Sequence, residues 1–269
     1  MSPIKKNNLT VMNRFFTLFF SVTILSIGIA RAQHLAVMTQ DTDLQDQTYF
    51  YSGDGFGFSA IQNDVDDYLK KGYFINTVSY TSFGWGVAMS KGGGFKSQTY
   101  TMSVDWPEKW IQKQRAAGKS LTSLHYSGSV WFAVASVNSK YGAQEIASAP
   151  WESLKEWISI YYDSGYYITD IAAVNGLWTV VMTETDIYSA QKLFFAPSKD
   201  ELEARIEEGW AEGYYITAAQ YSTGEWFCIM SQLAQDPDCD QTYVYGTDRA
   251  ETTMKKFWED GYKVTYIGG

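Results

Sequence analysis

Gly165-Tyr166-Tyr167-Ile168-Thr169, followed nine residues later by Trp178-Thr179-Val180-Val181-Met182, decides the fold because the chain repeats this pattern. Equivalent glycines stand 46, 47, 48 and 48 residues apart, in the order Gly72, Gly118, Gly165, Gly213 and Gly261. After each of the first four glycines, a tryptophan follows by 13 residues, a Met or Ala by 17, and a glutamine by 26 or 28. A period of this length predicts repeated supersecondary units.

The last repeat is cut short, and the missing part lies at the other end of the chain. The fifth copy begins at Gly261 and stops at Gly269, before its second strand. Residues 34–39 fit that strand, with His34 in place of the tryptophan, Met38 in the methionine position and Gln47 nine residues later. We expect 34–39 to pair beside 262–267, which closes a ring and covers the open strand edges.

Each copy is predicted to contain three strands followed by a helix. The segments 167–174 and 178–183 are rich in β-branched and aromatic residues and flank an Asn-Gly pair typical of a two-residue hairpin. A third short strand begins at the glutamine. A helix then begins after Ser198, with Glu201 as its capping-box partner, and ends at Gly213. The predicted fold class is α/β (α+β repeat): a five-fold pseudo-symmetric, propeller-like ring. Its units span roughly 72–117, 118–164, 165–212 and 213–260, and 261–269 plus 33–71.

The first 32 residues have the layout of a secretory signal peptide. Basic residues precede an apolar stretch over 15–30, and Ala30-Arg31-Ala32 supplies small residues at the predicted cut. The leader holds four of the 21 Lys and Arg and none of the 30 Asp and Glu, which gives 33–269 a net charge of −13. We therefore expect a secreted or periplasmic single domain over 33–269 without a membrane span. Because an acidic surface repels phosphate backbones, we expect no nucleic-acid partner.

Two stretches carry a family resemblance. They are 165–182 and 89–100, the second leading into Trp110. Both resemble a repeat family found at the C-terminus of plant casein-kinase-I-like kinases and in bacterial proteins, alone or fused to kinase or caspase-like domains. The resemblance covers essentially all of 33–269. It implies a domain of unknown function to which no catalytic residues are assigned. The element order, read cyclically, is also that of the penteins, the five-fold α/β propellers that include amidine-modifying enzymes.

Aromatic residues and glutamines recur at fixed repeat positions, which favours a structural role. Tryptophans at one strand position and on the helices are expected in the core. Trp106 and Trp151, at the junctions between third strand and helix, are the candidate binding residues. The recurrent glutamines are expected to be buried amides that tie a strand end to its turn.

A thiol enzyme is the main alternative to a binding module. Penteins that act on amidines use a Cys nucleophile with a His, and the pairs available here combine Cys228 or Cys239 with His125 or His34. Cys228 lies two residues after a core Trp, which favours a small buried residue over a reactive thiol. The predicted extracellular compartment would permit a disulfide between the two cysteines, although regular hairpin geometry would hold them too far apart.

Two acidic loops supply a possible cation site. Both loops join the second and third strands of a repeat, and ring closure makes their repeats neighbours. Their aspartates are Asp41, Asp43, Asp46, Asp236, Asp238 and Asp240. Carboxylate oxygens suit Ca²⁺, whereas the alternative is a pair of solvated acidic loops.

The sequence thus predicts a secreted, non-enzymatic binding or scaffold module. We expect a monomer that requires no cofactor and binds an unknown protein or glycan partner. A pentein-like hydrolase and a carbohydrate-binding module are the two alternatives.

Overall fold

The first two strands of the first four predicted copies form an antiparallel hairpin, as their β-branched and aromatic composition predicts. In the third copy, Tyr166–Val174 pairs with Leu177–Glu184, and the turn glycine Gly176 adopts a φ of 80°. A side chain at such a φ would be strained, which is why the turn requires glycine.

The computed structural model describes residues 35–40, 42–53, 57–81, 84–138, 140–174, 176–235, 239–246 and 250–269. The predicted signal peptide, His34, Asp41, Asp236 and Asp238 lie outside these ranges. The described strands are β1 Leu35–Thr39, β2 Leu44–Tyr51, β3 Phe74–Thr81, β4 Gly84–Gly92, β5 Phe95–Ser103, β6 Ser120–Tyr126, β7 Trp131–Asn138, β8 Gln144–Ala149, β9 Tyr166–Val174, β10 Leu177–Glu184, β11 Tyr188–Ala196, β12 Tyr215–Ser222, β13 Glu225–Leu233, β14 Gln241–Tyr245 and β15 Lys263–Gly268. The described helices are α1 Gln62–Lys70, α2 Glu108–Ala116, α3 Trp151–Tyr162, α4 Lys199–Ala211 and α5 Ala250–Glu259.

The strands form five three-stranded antiparallel sheets, which we name by their central strands. The strand orders are β2-β4-β3, β5-β7-β6, β8-β10-β9, β11-β13-β12 and β14-β1-β15. The third strand of a repeat copy therefore pairs in the next sheet rather than in its own. In the first copy, β4 already has β2 and β3 on its two edges, so the turn at Gly93 and Gly94 carries β5 across to the β7 sheet.

The N-terminal strand completes the last sheet, as the truncated fifth copy predicts. β1 lies between β14 and β15, and Val37 pairs with Tyr243 on one side and Tyr266 on the other. Four of its five residues are apolar, and all five are buried. The two ends of the described chain are therefore joined through one sheet.

The helices cover the sheets with one apolar face. In α3, Leu154 and Ile158 are buried, and Trp157 and Tyr161 pack against the same cluster. In α4, the Oγ of Ser198 accepts a hydrogen bond from the Glu201 amide, which confirms the predicted N-cap. The strand tryptophans are core residues, with exposed fractions of 3, 6, 7 and 1 % for Trp85, Trp131, Trp178 and Trp226.

The five recurrent glutamines are structural, but they join neighbouring sheets rather than a strand end to its own turn. The Oε1 of Gln144 accepts from the Leu121 amide at 2.7 Å, and its Nε2 donates to the Leu121 carbonyl at 2.8 Å. Gln144 belongs to the β10 sheet and Leu121 to the β7 sheet. The same two bonds join Gln98 to Ile75, Gln191 to Ile168, Gln241 to Ile216 and Gln47 to Val264.

The first strands of the five copies contact one another in cyclic order. β3 contacts β6, β6 contacts β9, β9 contacts β12, β12 contacts β15, and β15 contacts β3 again. Each of these strands has a register shift at the same place, one residue after the backbone that the glutamine binds. The bulged residues are Asn76, Thr122, Thr169, Thr217 and Thr265.

Candidate functional site

A cavity of about 480 Å³ opens between the β7 and β10 sheets. Two tryptophans wall it, Trp106 before α2 and Trp131 in β7, and we call it the indole cavity. Ser148 of β8 and Thr179 of β10 line it from the neighbouring sheet. Its volume lies within the range of roughly 300 to 1,000 Å³ that is typical of small-molecule sites.

The cavity exists because one cross-strand pair lacks a large side chain. Ser148 pairs with Thr179, and their hydroxyl oxygens are hydrogen-bonded at 2.7 Å. Each of the other four sheets has at least one large residue at the equivalent pair. Those pairs are Tyr51 with Gly86, Met102 with Phe132, Phe195 with Phe227, and Tyr245 with Leu35.

At the equivalent place between the β10 and β13 sheets, aromatic rings fill the space. Phe227 lies 4.5 Å from Trp151 and 5.0 Å from Trp178 between ring centroids, and Phe195 stacks on it at 4.7 Å. Trp151 corresponds to Trp106, and Trp178 to Trp131. Replacing the two phenylalanines by Ser148 and Thr179 removes most of this packing and leaves the indole walls facing open space.

The two indoles form a fixed corner. Their centroids are 4.8 Å apart and their planes meet at 76°, the edge-to-face arrangement that the ring quadrupoles favour. The Nε1 of Trp106 donates to a carboxylate oxygen of Glu108 at 2.8 Å, and the second oxygen of Glu108 accepts from Gln112 at 2.7 Å. Trp106 is therefore oriented before any ligand arrives.

Polar groups of both charges lie beside this corner. Glu108 and Arg115 line the cavity from α2, and Glu145 lines it from β8. Neither Arg115 nor Glu145 forms an ion pair within the described ranges. Ser148 is exposed, although the side chains at its equivalent positions are half-buried. The cavity therefore offers solvent-accessible donors and acceptors beside an apolar wall.

The structure separates the two candidate binding residues. Trp106 lines the indole cavity, whereas Trp151 packs half-buried against Phe195 and Phe227 at the start of α3. Both residues remain predictions as ligand contacts. Trp151 could contact a ligand only through the part of its ring that this packing leaves uncovered.

The candidate thiol and imidazole groups are buried in different places. Cys228 lies in the cluster around Trp226 with no exposed surface, and burial raises the pKa of its thiol well above the ordinary value. His125 is packed edge-on against Trp85, and burial lowers its pKa to about 3. Cys239 lines a second cavity, of about 290 Å³, together with the bulge threonines Thr122, Thr217 and Thr265. No disulfide joins Cys228 to Cys239.

The acidic loops engage protein groups where the structure describes them. Asp43 pairs with Lys140 at 3.1 Å and Asp46 with Lys91 at 2.9 Å, while a carboxylate oxygen of Asp240 accepts a hydrogen bond from the Tyr262 hydroxyl. The described residues contain no group of three or more His, Cys, Asp or Glu placed to hold a metal ion. The calcium site stays a prediction, because half of its aspartates lie outside the described ranges.

A buried carboxylate lies among the first strands. Asp170 stands five residues after its repeat glycine and is 6 % exposed. Its oxygens accept hydrogen bonds from the amides of Leu124 at 2.6 Å and Ile171 at 2.8 Å, and the Tyr266 hydroxyl lies 3.5 Å away. Burial raises the pKa of Asp170 to about 7, because desolvation outweighs these hydrogen bonds.

Sequence reasoning missed Ser148, Thr179 and Asp170, although the repeat alignment contained the signal for all three. Ser148 and Thr179 form the small pair among five equivalent pairs, and Asp170 is the one acid at its repeat position. Arg115 and Glu145 carried no such signal, because their roles follow from how two neighbouring sheets pack together.

A family model described as a domain of unknown function, DUF7477, matches residues 20–152 and 147–268. No curated protein sequence matches the chain. Within the described part of the chain, no helix combines the length and the apolar character that crossing a bilayer requires.

Proposed function

The chain belongs to the DUF7477 family, a domain of unknown function, and we propose that it is a secreted, non-enzymatic binding module whose ligand occupies the indole cavity. The cross-strand pair of Ser148 and Thr179 carries this proposal, because it is the pair without a large side chain among five equivalent pairs. At the equivalent place between the β10 and β13 sheets, aromatic rings fill the space. A ligand explains the open space beside Ser148 better than packing does, since unfilled volume costs stability.

We also infer the architecture in which this module works. The five sheets stand around one axis as a propeller-like, pentein-like ring, and residues 1–32 direct its export. The cyclic contacts of β3, β6, β9, β12 and β15 support the ring, as do the equivalent bonds of the five glutamines. The layout of residues 1–32 supports export.

A binding role agrees better with the buried groups than a thiol hydrolase does. Cys228 has no exposed surface and lies two residues after Trp226, while His125 is packed against Trp85. A hydrolase would need a thiolate, an imidazole and solvent access at one place. The indole cavity instead offers aromatic walls and polar groups, which can bind a ligand without catalysing a reaction.

Capture experiments test the proposal. The full secreted protein and its Trp106→Ala variant are presented to a glycan array and, separately, to proteins from the medium. We expect at least one bound species whose capture is lost in Trp106→Ala. A matched control, Lys192→Thr, changes the position equivalent to Glu145 in the β13 sheet, outside the indole cavity. Capture that persists in Trp106→Ala as it does in the control would refute the indole cavity as the binding site.

A further inference from the structure

We propose that the ligand of the indole cavity is a neutral saccharide, with one pyranose ring stacked on the Trp106 indole. This inference rests on the proposed function and names the class of ligand. Three features of the cavity carry it: the indole corner, the hydroxyl pair, and the mixture of charges.

The indole corner suits a flat ring that is apolar on its face and polar at its edge. The axial C–H bonds on one face of a pyranose are weakly positive and match the negative face of an indole. Trp106 is half-buried and held by Glu108, so it provides a stacking platform with little freedom to lose on binding. Trp131, at 76° to it, limits the ring on a second side.

The remaining groups suit hydroxyls. A sugar hydroxyl both donates and accepts, so it can donate to the Glu145 carboxylate and accept from the Arg115 guanidinium. The exposed Ser148 hydroxyl, already bonded to Thr179, can both donate to and accept from a sugar hydroxyl. Hydrogen bonds between a sugar hydroxyl and a charged side chain are stronger than those between neutral groups, and they orient the sugar in a way that stacking alone does not.

The charges disfavour anionic ligands. Glu108 and Glu145 outnumber Arg115 around the cavity, and residues 33–269 carry a net charge of −13. A phosphate, a nucleotide or an acidic sugar would meet net repulsion. An extended peptide is the remaining class, but a peptide that pairs with a strand edge is held by main-chain hydrogen bonds, whereas the distinctive groups here are side chains.

Isothermal titration tests the inference with neutral linear oligosaccharides of glucose, mannose and N-acetylglucosamine. We expect saturable binding of at least one of them to the full secreted protein. Trp106→Ala should weaken that binding by about tenfold or more, the order expected for the loss of one stacking platform. Glu145→Thr should also weaken it, whereas the matched Lys192→Thr should not. Glu145→Thr keeps the apolar packing intact, so it remains informative if Trp106→Ala fails to fold.

The outcomes separate the two proposals. If none of the oligosaccharides binds while a captured protein still depends on Trp106, the saccharide inference is wrong and the binding site stands. If saccharides bind equally well to Trp106→Ala, Glu145→Thr and the unchanged protein, the inference is also wrong, because the sugar then lies elsewhere. If no ligand depends on Trp106 for binding, both the saccharide inference and the proposed binding site are wrong.

Discussion

Asp170 occupies the position at which the other four copies carry Thr77, Ser123, Ala218 and Tyr266. At this position a side-chain oxygen accepts a hydrogen bond from a backbone amide of the preceding copy. Thr77 accepts from the Ile267 amide at 3.0 Å, and Ser123 accepts from the Val78 amide at 3.2 Å. Asp170 accepts from the Leu124 amide at 2.6 Å. Ala218 has no oxygen to offer, and the Ile171 amide bonds instead to Asp170 itself. One carboxylate therefore accepts two amide hydrogen bonds for which two hydroxyl acceptors would otherwise be needed. As a consequence, an ionisable group is buried in the core.

This arrangement makes stability fall as the pH rises. The folded pKa of Asp170 is about 7, against an ordinary value of 3.8, so the unfolded chain ionises first. The stabilising contribution of Asp170 is full below about pH 4, declines as the pH rises, and is lost above about pH 7; the total loss is on the order of 4 kcal/mol. The double variant Asp170→Ser, Ala218→Ser replaces the carboxylate by two hydroxyl acceptors. Its free energy of unfolding, relative to the unchanged protein, should rise by a few kcal/mol from pH 4.5 to pH 8.5.

Urea denaturation at pH 4.5, 6.5 and 8.5 measures that difference. The other titratable groups beside Asp170 are Tyr141, Tyr188 and Tyr266, and the pKa of each is raised above its ordinary value, outside this range. His125 acts in the opposite sense: its lowered pKa makes stability fall as the pH drops below about 6.5. Its effect is common to both proteins and cancels. Parallel pH curves for the two proteins would contradict the assignment.

Cys228 should behave as a small apolar residue. Val87, Ala133 and Val180 occupy the equivalent strand position and are buried, as Cys228 is. We expect Cys228→Val to fold normally and Cys228→Ala to cost about 1 kcal/mol. In the native protein the thiol should not react with a soluble disulfide reagent. Rapid modification of the folded protein at Cys228 would show that the thiol is accessible and reopen the enzyme hypothesis.

At the scale of elements, sequence patterns predicted most of what the structure shows. The hairpin of β9 and β10, the N-cap at Ser198 and the buried face of α3 all follow from local composition and spacing. The sheet in which the third strand of a copy pairs cannot be predicted from local composition and spacing. β5 is separated from β4 by two glycines, which predicts a local hairpin, yet β4 has both edges occupied by β2 and β3. Such an assignment depends on the packing of whole sheets.

The glutamine bridges stabilise the fold by joining neighbouring sheets. Gln144 satisfies the amide and the carbonyl of Leu121 and also donates to Thr183 at 2.8 Å. Gln144→Ala leaves a buried amide without its acceptor, so we expect a loss of about 2 to 3 kcal/mol in the free energy of unfolding. The control is Gln232→Ala, whose side chain makes one exposed bond to the Glu212 carbonyl and should cost less than about 0.5 kcal/mol. Equal costs for the two variants would show that the bridge adds nothing.

At the scale of the whole molecule, the joining of the two chain ends was predictable and the binding site was not. The truncated copy at Gly261 and the strand-like segment at 34–39 complete one another in the sequence alone. The indole cavity requires two further facts: that the pair of Ser148 and Thr179 faces the neighbouring sheet, and that Trp106 and Trp131 stand opposite. Those are properties of sheet packing, which a repeat period does not encode.

Ring closure makes a quantitative prediction about Gln47. It binds Val264 across the two ends of the chain as Gln144 binds Leu121 within it. If the ring is closed, Gln47→Ala should cost as much as Gln144→Ala, about 2 to 3 kcal/mol by urea denaturation. A cost near zero for Gln47→Ala alone would indicate that the junction between the chain ends is open in solution.

The indole cavity can be filled by a double substitution, and the binding isotherm of that variant shows whether the ligand occupies the cavity. Ser148→Phe with Thr179→Phe places in the β10 sheet the pair that the β13 sheet carries as Phe195 and Phe227. The filled protein should melt at least as high as the unchanged protein, because apolar rings replace open space, and should bind none of its Trp106-dependent ligand. A filled protein that melts normally and still binds with unchanged affinity would show that the ligand does not occupy the indole cavity.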